Sequence, residues 1–368
     1  MINSIMRLMI IILGFVSYNA FADCQFSSDS PITGYNNYTM PLMGGSITAG
    51  TDLPDGSVIF RQTFRRHSPL PFVTCTGTGN ITTVKDYTTH PLPLSSWGGN
   101  PFGGNVYETG VPGIGVVYWY KVVPFPYTLD GQHCSESGGN NKCELQSGDF
   151  DIQFIKTGPI SSGVIQGANL PCMKEEALSE SGGSLKIHDV CLTGSLNVVA
   201  ATCTTPDVNV TMDSWDINNF KGVGSATDWK DASINLINCP VFHGTLNDDT
   251  NTYVDPHTND SGVGNFSKNS FSVKFIPAAS VINNTQGIFS LNSTSNSATG
   301  VGIQLVNGNP SSATASNPVT FNTEIKKDID LGYSGNIKIP LSARYIQTDP
   351  DVTPGMANGA VTFLINYY

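Results

Sequence analysis

The last nine residues, Ala360-Val361-Thr362-Phe363-Leu364-Ile365-Asn366-Tyr367-Tyr368, read as a β-strand that runs into the C-terminus. Val361, Phe363, Ile365 and Tyr367 fall on one face, and Thr362 and Asn366 on the other. Alternation at period two is the pattern of a half-buried strand. Leu364 interrupts it, so the outer face is not fully polar. No later segment covers this strand. An apolar strand at a sheet edge is an aggregation hazard. Such a strand is either closed inside its own sandwich or paired by a strand from another polypeptide. On the tail alone both readings stay open.

The other end of the chain reads as an export signal. Within residues 1–22, Arg7 precedes the apolar run Leu8-Met9-Ile10-Ile11-Ile12-Leu13-Gly14-Phe15-Val16, and Ala20-Phe21-Ala22 supplies an A-x-A cleavage site. The run is too short for a spanning helix. The expectation is a signal peptide over 1–22 and an exported protein starting at Asp23. Removing residues 1–22 from 368 leaves 346, a length suited to two domains. The abundance of Gly (38) and Pro (22), with only 13% charged residues and long stretches without a 3.6-residue apolar period, points to an all-β fold. Loss of Arg7 takes the net charge from −11 to −12. That acidity argues against nucleic acid or an anionic membrane as partner.

All eight cysteines lie after the cleavage site. An even count in an exported chain argues for disulfides, although eight cysteines allow 105 pairings. Neighbour pairing is the simplest: Cys24–Cys75, Cys134–Cys143, Cys172–Cys191 and Cys203–Cys239. No C-x-x-C spacing supports redox or zinc-ribbon chemistry. The loop-like Glu180-Ser181-Gly182-Gly183-Ser184 precedes two short candidate strands at 185–190 and 192–199. A fresh β pattern opens at Cys203-Thr204-Thr205-Pro206-Asp207-Val208-Asn209-Val210. The domain boundary is therefore expected between 195 and 202, giving domains of 23–197 and 198–368.

The second half carries a family resemblance. Cys203 and Cys239 are followed by Gly300-Val301-Gly302-Ile303-Gln304-Leu305, then Ile339-Pro340-Leu341-Ser342-Ala343-Arg344-Tyr345, then Gly359-Ala360-Val361-Thr362-Phe363, with the aromatic Tyr367 penultimate. This order resembles the pilin domain of chaperone–usher fimbriae from about Cys203 to Tyr368. About 175 residues precede it, an arrangement that resembles a two-domain tip adhesin. Val106-Tyr107-Glu108-Thr109-Gly110-Val111-Pro112-Gly113-Ile114-Gly115-Val116 resembles a strand-turn-strand segment of such adhesins. A Cys24–Cys75 pair resembles the type 1 fimbrial tip adhesin. The sugar-binding residues of that adhesin find no match here, so its mannose specificity is not carried over.

The resemblance implies two β-sandwiches: a lectin-like N-terminal domain and a C-terminal immunoglobulin-like pilin domain lacking its last strand. It implies four partners: a periplasmic pilus chaperone, an outer-membrane usher, an adjacent pilin subunit supplying a donor strand, and a host glycan receptor. It places the protein at the pilus tip on the cell surface after passage through the periplasm. Val361, Phe363, Ile365 and Tyr367 become candidates for chaperone and donor-strand contact. An adhesin for a host protein or abiotic surface, or a pilus structural subunit with a fused domain, is the alternative.

For the glycan, Trp97-Gly98-Gly99-Asn100-Pro101-Phe102-Gly103-Gly104-Asn105 is the best candidate loop. Trp97 offers a stacking face, and Asn100 and Asn105 offer donors and acceptors. The competing reading is a Gly-rich turn with Trp97 in the core. Trp119 has the same two readings. Asp149 and Asp151, at i and i+2 on one strand, are candidate acceptors or merely solvated charges. Arg61, Arg65 and Arg66 form the one basic cluster, suited either to an acidic glycan or to a solvated strand edge. His67, His90 and His133 lack H-x-H or H-x-x-x-H spacing, so no metal is expected. Composition leaves room for a Ser/His/Asp triad, but no G-x-S-x-G motif supports one; the expectation is no enzyme and no cofactor.

Overall fold

A computed structural model describes residues 23–66, 69–130, 133–146, 148–247 and 251–368. The expected signal peptide and His67 lie outside the described residues. The chain is all-β, with three short 3-10 turns among the described residues. The strands enclose two main cores.

The first core lies between two sheets. One runs in the order Asp260–Gly262, Tyr253–Asp255, Val58–Phe64, Phe150–Lys156, Ile114–Tyr120, Tyr107–Glu108. The other runs Tyr127–Leu129, Ile81–Thr89, Cys172–Ser179, Ser184–Thr193, Asn36–Pro41. Period two sorts the side chains. Phe60, Phe64, Phe150, Ile152, Phe154 and Tyr118 point inward to meet Met40, Met173, Val190 and Leu192. Rings reinforce this core: Phe60 stacks on Phe154 at 4.8 Å, and Phe64 on Phe150 at 5.1 Å.

The second core lies between the sheet Lys230–Asp231, Leu341–Gln347, Val301–Asn307, Ile288–Ser290, Val281–Asn283 and the sheet Glu324–Asp328, Ser270–Pro277, Val361–Tyr367. A two-stranded pair, Ile234–Phe242 with Tyr333–Ile339, completes it. Four disulfides are present: Cys24–Cys75, Cys134–Cys143, Cys172–Cys191 and Cys203–Cys239. The second of these ties the hairpin His133–Ser137 to Asn140–Glu144 across directly opposed positions.

The halves interlock. The segment after strand Ile234–Phe242 returns to the first sheet, where Tyr253–Asp255 pairs in parallel with Val58–Phe64. Leu246 and Val254 thereby join the first core. Thr48 is the joint on the other side. It is fully buried and sits in strand Ser46–Gly50. Its N–H donates to Gly244 O (2.8 Å) and its hydroxyl donates to Val241 O (3.0 Å). The hydroxyl also accepts from His243 N–H (2.8 Å), while the carbonyl accepts from Asn269 Nδ2 (2.9 Å).

Candidate functional site

The C-terminal strand Val361–Tyr367 is the last member of its sheet, and among the described residues its one strand partner is Ser270–Pro277. The register determines which backbone groups that pairing uses. Ser270 and Tyr368 exchange both hydrogen bonds, at 3.0 and 2.8 Å, and Ala278 N–H donates to Ala360 O at 2.9 Å. Antiparallel pairs alternate between bonded and non-bonded types. Residues 362, 364 and 366 therefore face the partner strand. Val361, Phe363, Ile365 and Tyr367 direct their N–H and C=O groups to the open side.

Opposite that edge runs the segment 205–213. Val208, Val210 and Met212 are half-buried against the second core, while Asn209, Thr211 and Asp213 are exposed. The segment alternates as a strand does, yet among the described residues it belongs to no sheet. Between it and the C-terminal strand the surface is indented down to core side chains. A cavity of about 620 Å³ opens there onto Phe275, Phe289, Ile303, Leu305 and Tyr345. A second hollow of about 410 Å³ continues it between Thr205, Asp207 and residues 361–365. Val361, Phe363 and Ile365 are half-buried on its wall, and Tyr367 is buried at 4% exposure. The gap runs beside residues 361–365, with an apolar floor and one wall of outward-facing backbone groups. Such an edge can accept an extended polypeptide by main-chain pairing, with side chains filling the floor.

The residues considered for sugar binding separate into two groups. Register places Trp119 opposite Asp151, and Asp151 opposite Thr63, on the outer face of the first sheet. Asp151 Oδ1 accepts from Thr63 Oγ1 (2.6 Å) and Arg61 Nε (3.0 Å). The Arg61 guanidinium lies 4.8 Å from the Trp119 ring centroid. Trp97 and Phe102 pack on this face against Trp119, Val106, Val117 and Ile155. Trp97 Nε1 donates to Pro101 O at 2.9 Å, and its ring lies over Gly99 so closely that a Cβ there would stand 2.5 Å from it. Trp97 keeps partial exposure, whereas Trp119 is only 7% exposed and offers no free stacking face. Asn100 is exposed at the loop tip, and Asn105 Nδ2 donates to Gly103 O at 3.4 Å.

Asp149 belongs elsewhere. It precedes strand Phe150–Lys156 and accepts from Arg66 N–H at 2.5 Å. Arg66 in turn meets Glu175 in the first core. The two aspartates thus hold different partners. The arginines also disperse. Arg61 pairs with Asp151, Arg65 lies 3.5 Å over the Tyr253 ring, and Arg66 is buried. Sequence reasoning missed the buried group Arg66, Lys85, Glu175 and His188, because no local spacing links these positions. Among the described residues no cluster of three or more His, Cys, Asp or Glu is placed to hold a metal, and no helix is long and apolar enough to cross a membrane.

Comparison with known proteins bears on the half that holds the open edge. Residues 191–368 match the family model described as "Fimbrial protein". Protein FimG of Escherichia coli (strain K12) is 35% identical over 66 residues, which are 17% of this chain and 40% of that relative's length. Among solved structures, the CupB6 tip adhesin from Pseudomonas aeruginosa superposes with a TM-score of 0.37 at 14% identity, covering 94% of each chain. The receptor binding domain of the adhesin MrkD1P of Klebsiella pneumoniae gives 0.33 at 21% identity, covering 50% of this chain and 98% of that one. The half of the chain that holds the open edge is thus similar to the fimbrial protein family.

Proposed function

We propose that this protein is a non-enzymatic fimbrial tip adhesin that attaches bacteria to host surface glycans. In this reading residues 23–197 carry the receptor-binding domain and residues 198–368 the pilin domain. The pilin domain is held in the fibre by a donor strand from the adjacent pilin subunit. Before assembly a periplasmic pilus chaperone fills the same gap, and an outer-membrane usher exports the complex to the pilus tip. One observation carries the reading: the outward N–H and C=O groups of Val361, Phe363 and Ile365 border a cavity lined by apolar core side chains. Burying three or four apolar donor side chains there contributes on the order of 5–10 kcal/mol before the entropy of ordering the donor.

The glycan reading is supported by the outer face of the first sheet. There the partly exposed Trp97 and the exposed Asn100 stand beside the Asp151–Arg61–Thr63 group. A glycan array probed with chain 23–368 tests it. The full chain is used because Leu246 and Val254 complete the first core. Binding to one sugar family that is lost in Trp97→Ala or Asn100→Ala supports a lectin with this site. Binding that survives both changes moves the site. A blank from folded protein transfers the reading to a host protein or abiotic surface.

A further inference from the structure

We propose that Asp52, in the first half of the chain, occupies the last rung of the open edge and so sets where an incoming strand must end. The inference rests on the donor-strand reading above. Of the four outward rungs, the one at Tyr367 is already filled. Tyr367 N–H donates to Asp52 Oδ2 at 2.8 Å, and Asp52 N–H donates to Tyr367 O at 3.0 Å. These are the two bonds of an antiparallel rung, with a side-chain carboxylate replacing one backbone carbonyl.

The placement is built in rather than grazing. A Cβ on Gly50 would stand 2.3 Å from Tyr367 O and 2.6 Å from Tyr368 Cα, so the backbones approach as closely as only glycine allows. Two residues earlier, Thr48 anchors this stretch to Gly244, Val241, His243 and Asn269. The first half therefore cannot withdraw from Tyr367 without breaking a buried hydrogen-bonded joint.

The partner that fits is an extended segment pairing with Val361, Phe363 and Ile365, with apolar side chains at alternate positions over the cavity. A strand running further would meet the Asp52 carboxylate in place of free backbone groups. The receptor-carrying half thus fixes the register of the strand that joins the protein to its fibre, and Asp52 is a positioning residue.

Amide hydrogen exchange read residue by residue in chain 23–368 tests this. The probe is a short synthetic peptide with valine at alternate positions and threonine between. In the free wild type the Tyr367 amide is expected to be protected, and those of Val361, Phe363 and Ile365 open. Peptide then protects those three and leaves Tyr367 unchanged. Asp52→Ala speeds Tyr367 exchange at least about tenfold, and peptide restores its protection. Asp52→Asn keeps an acceptor oxygen and keeps the protection. A wild-type Tyr367 amide that is open alone and protected by peptide overturns the stop while sparing the groove. Peptide that protects no residue of the C-terminal strand overturns the groove reading, and the stop with it.

Discussion

Arg66 and Glu175 form an ion pair at 2.9 Å inside the first core, with side chains 2% and 0% exposed. Lys85 Nζ lies 2.7 Å from the other carboxylate oxygen. Two cations thus share one buried carboxylate. Removing it leaves both facing a neutral group in a medium that solvates charge poorly. Glu175→Gln is therefore expected to cost ~3–5 kcal/mol of stability, measured by urea unfolding. A loss within ~0.5 kcal/mol would show that the cluster carries no such role.

The same cluster sets a pH dependence. Burial alone would raise the Glu175 carboxyl, but Lys85, Arg66 and His188 outweigh it and hold it at about 2. Burial, reinforced by Arg66, lowers His188 to about 3. Both groups bind protons more readily when the chain is unfolded. Their stabilisation is thus complete above the unfolded values and declines as pH falls. Loss begins below 6.5 through His188, is joined below 4.5 by Glu175, and runs down to about 3 and about 2 respectively. His188→Gln is expected to flatten the slope of unfolding free energy between pH 6.5 and 4.5. An unchanged slope would contradict this.

The return of the chain after residue 242 makes a prediction across the halves. Leu246 is fully buried in the first core. Leu246→Ala should cost about 2–5 kcal/mol, and the added mobility should show as faster amide exchange in Val58–Phe64. Faster exchange confined to the second core would contradict the packing. For the same reason fragment 23–197 is expected to melt below the intact chain.

Thr48 makes a second test of the joint. Thr48→Val keeps the shape but leaves His243 N–H without its hydroxyl acceptor and Val241 O without the hydroxyl donor. A loss of ~1–3 kcal/mol is expected, with no change in the disulfides. A variant as stable as the parent would show that the halves do not depend on this contact.

Much of this architecture is legible in the residues. The period-two runs 361–367, 301–305 and 341–345 read as strands because each buries one face or sits wholly in the core. Val208, Val210 and Met212 alternate equally well, so the segment reads as a strand although no described strand pairs with it. Other features have no local signature. Strand Tyr253–Asp255 is three residues long, too short to carry a period, and its parallel pairing with Val58–Phe64 spans 190 positions at Thr63 and Tyr253. Trp119 and Asp151 become neighbours only through register. The alternation that marks Asp149 and Asp151 as one face ends at the strand boundary, where Asp149 turns to the Arg66 amide. Asp52 is one of many polar loop residues until the fold brings Tyr367 to it.

The open edge is the central claim, and thermal unfolding of chain 23–368 tests it most directly. The chain is titrated with peptides carrying valine, leucine or phenylalanine at alternate positions, and with controls in which those residues are serine. A ligand that binds only the folded chain stabilises it by about 2.7 kcal/mol at a hundredfold excess over Kd. The account predicts a saturable rise in Tm with at least one apolar peptide, none with the serine controls, and loss of the rise in Phe363→Asp. A Tm that no peptide moves would contradict it.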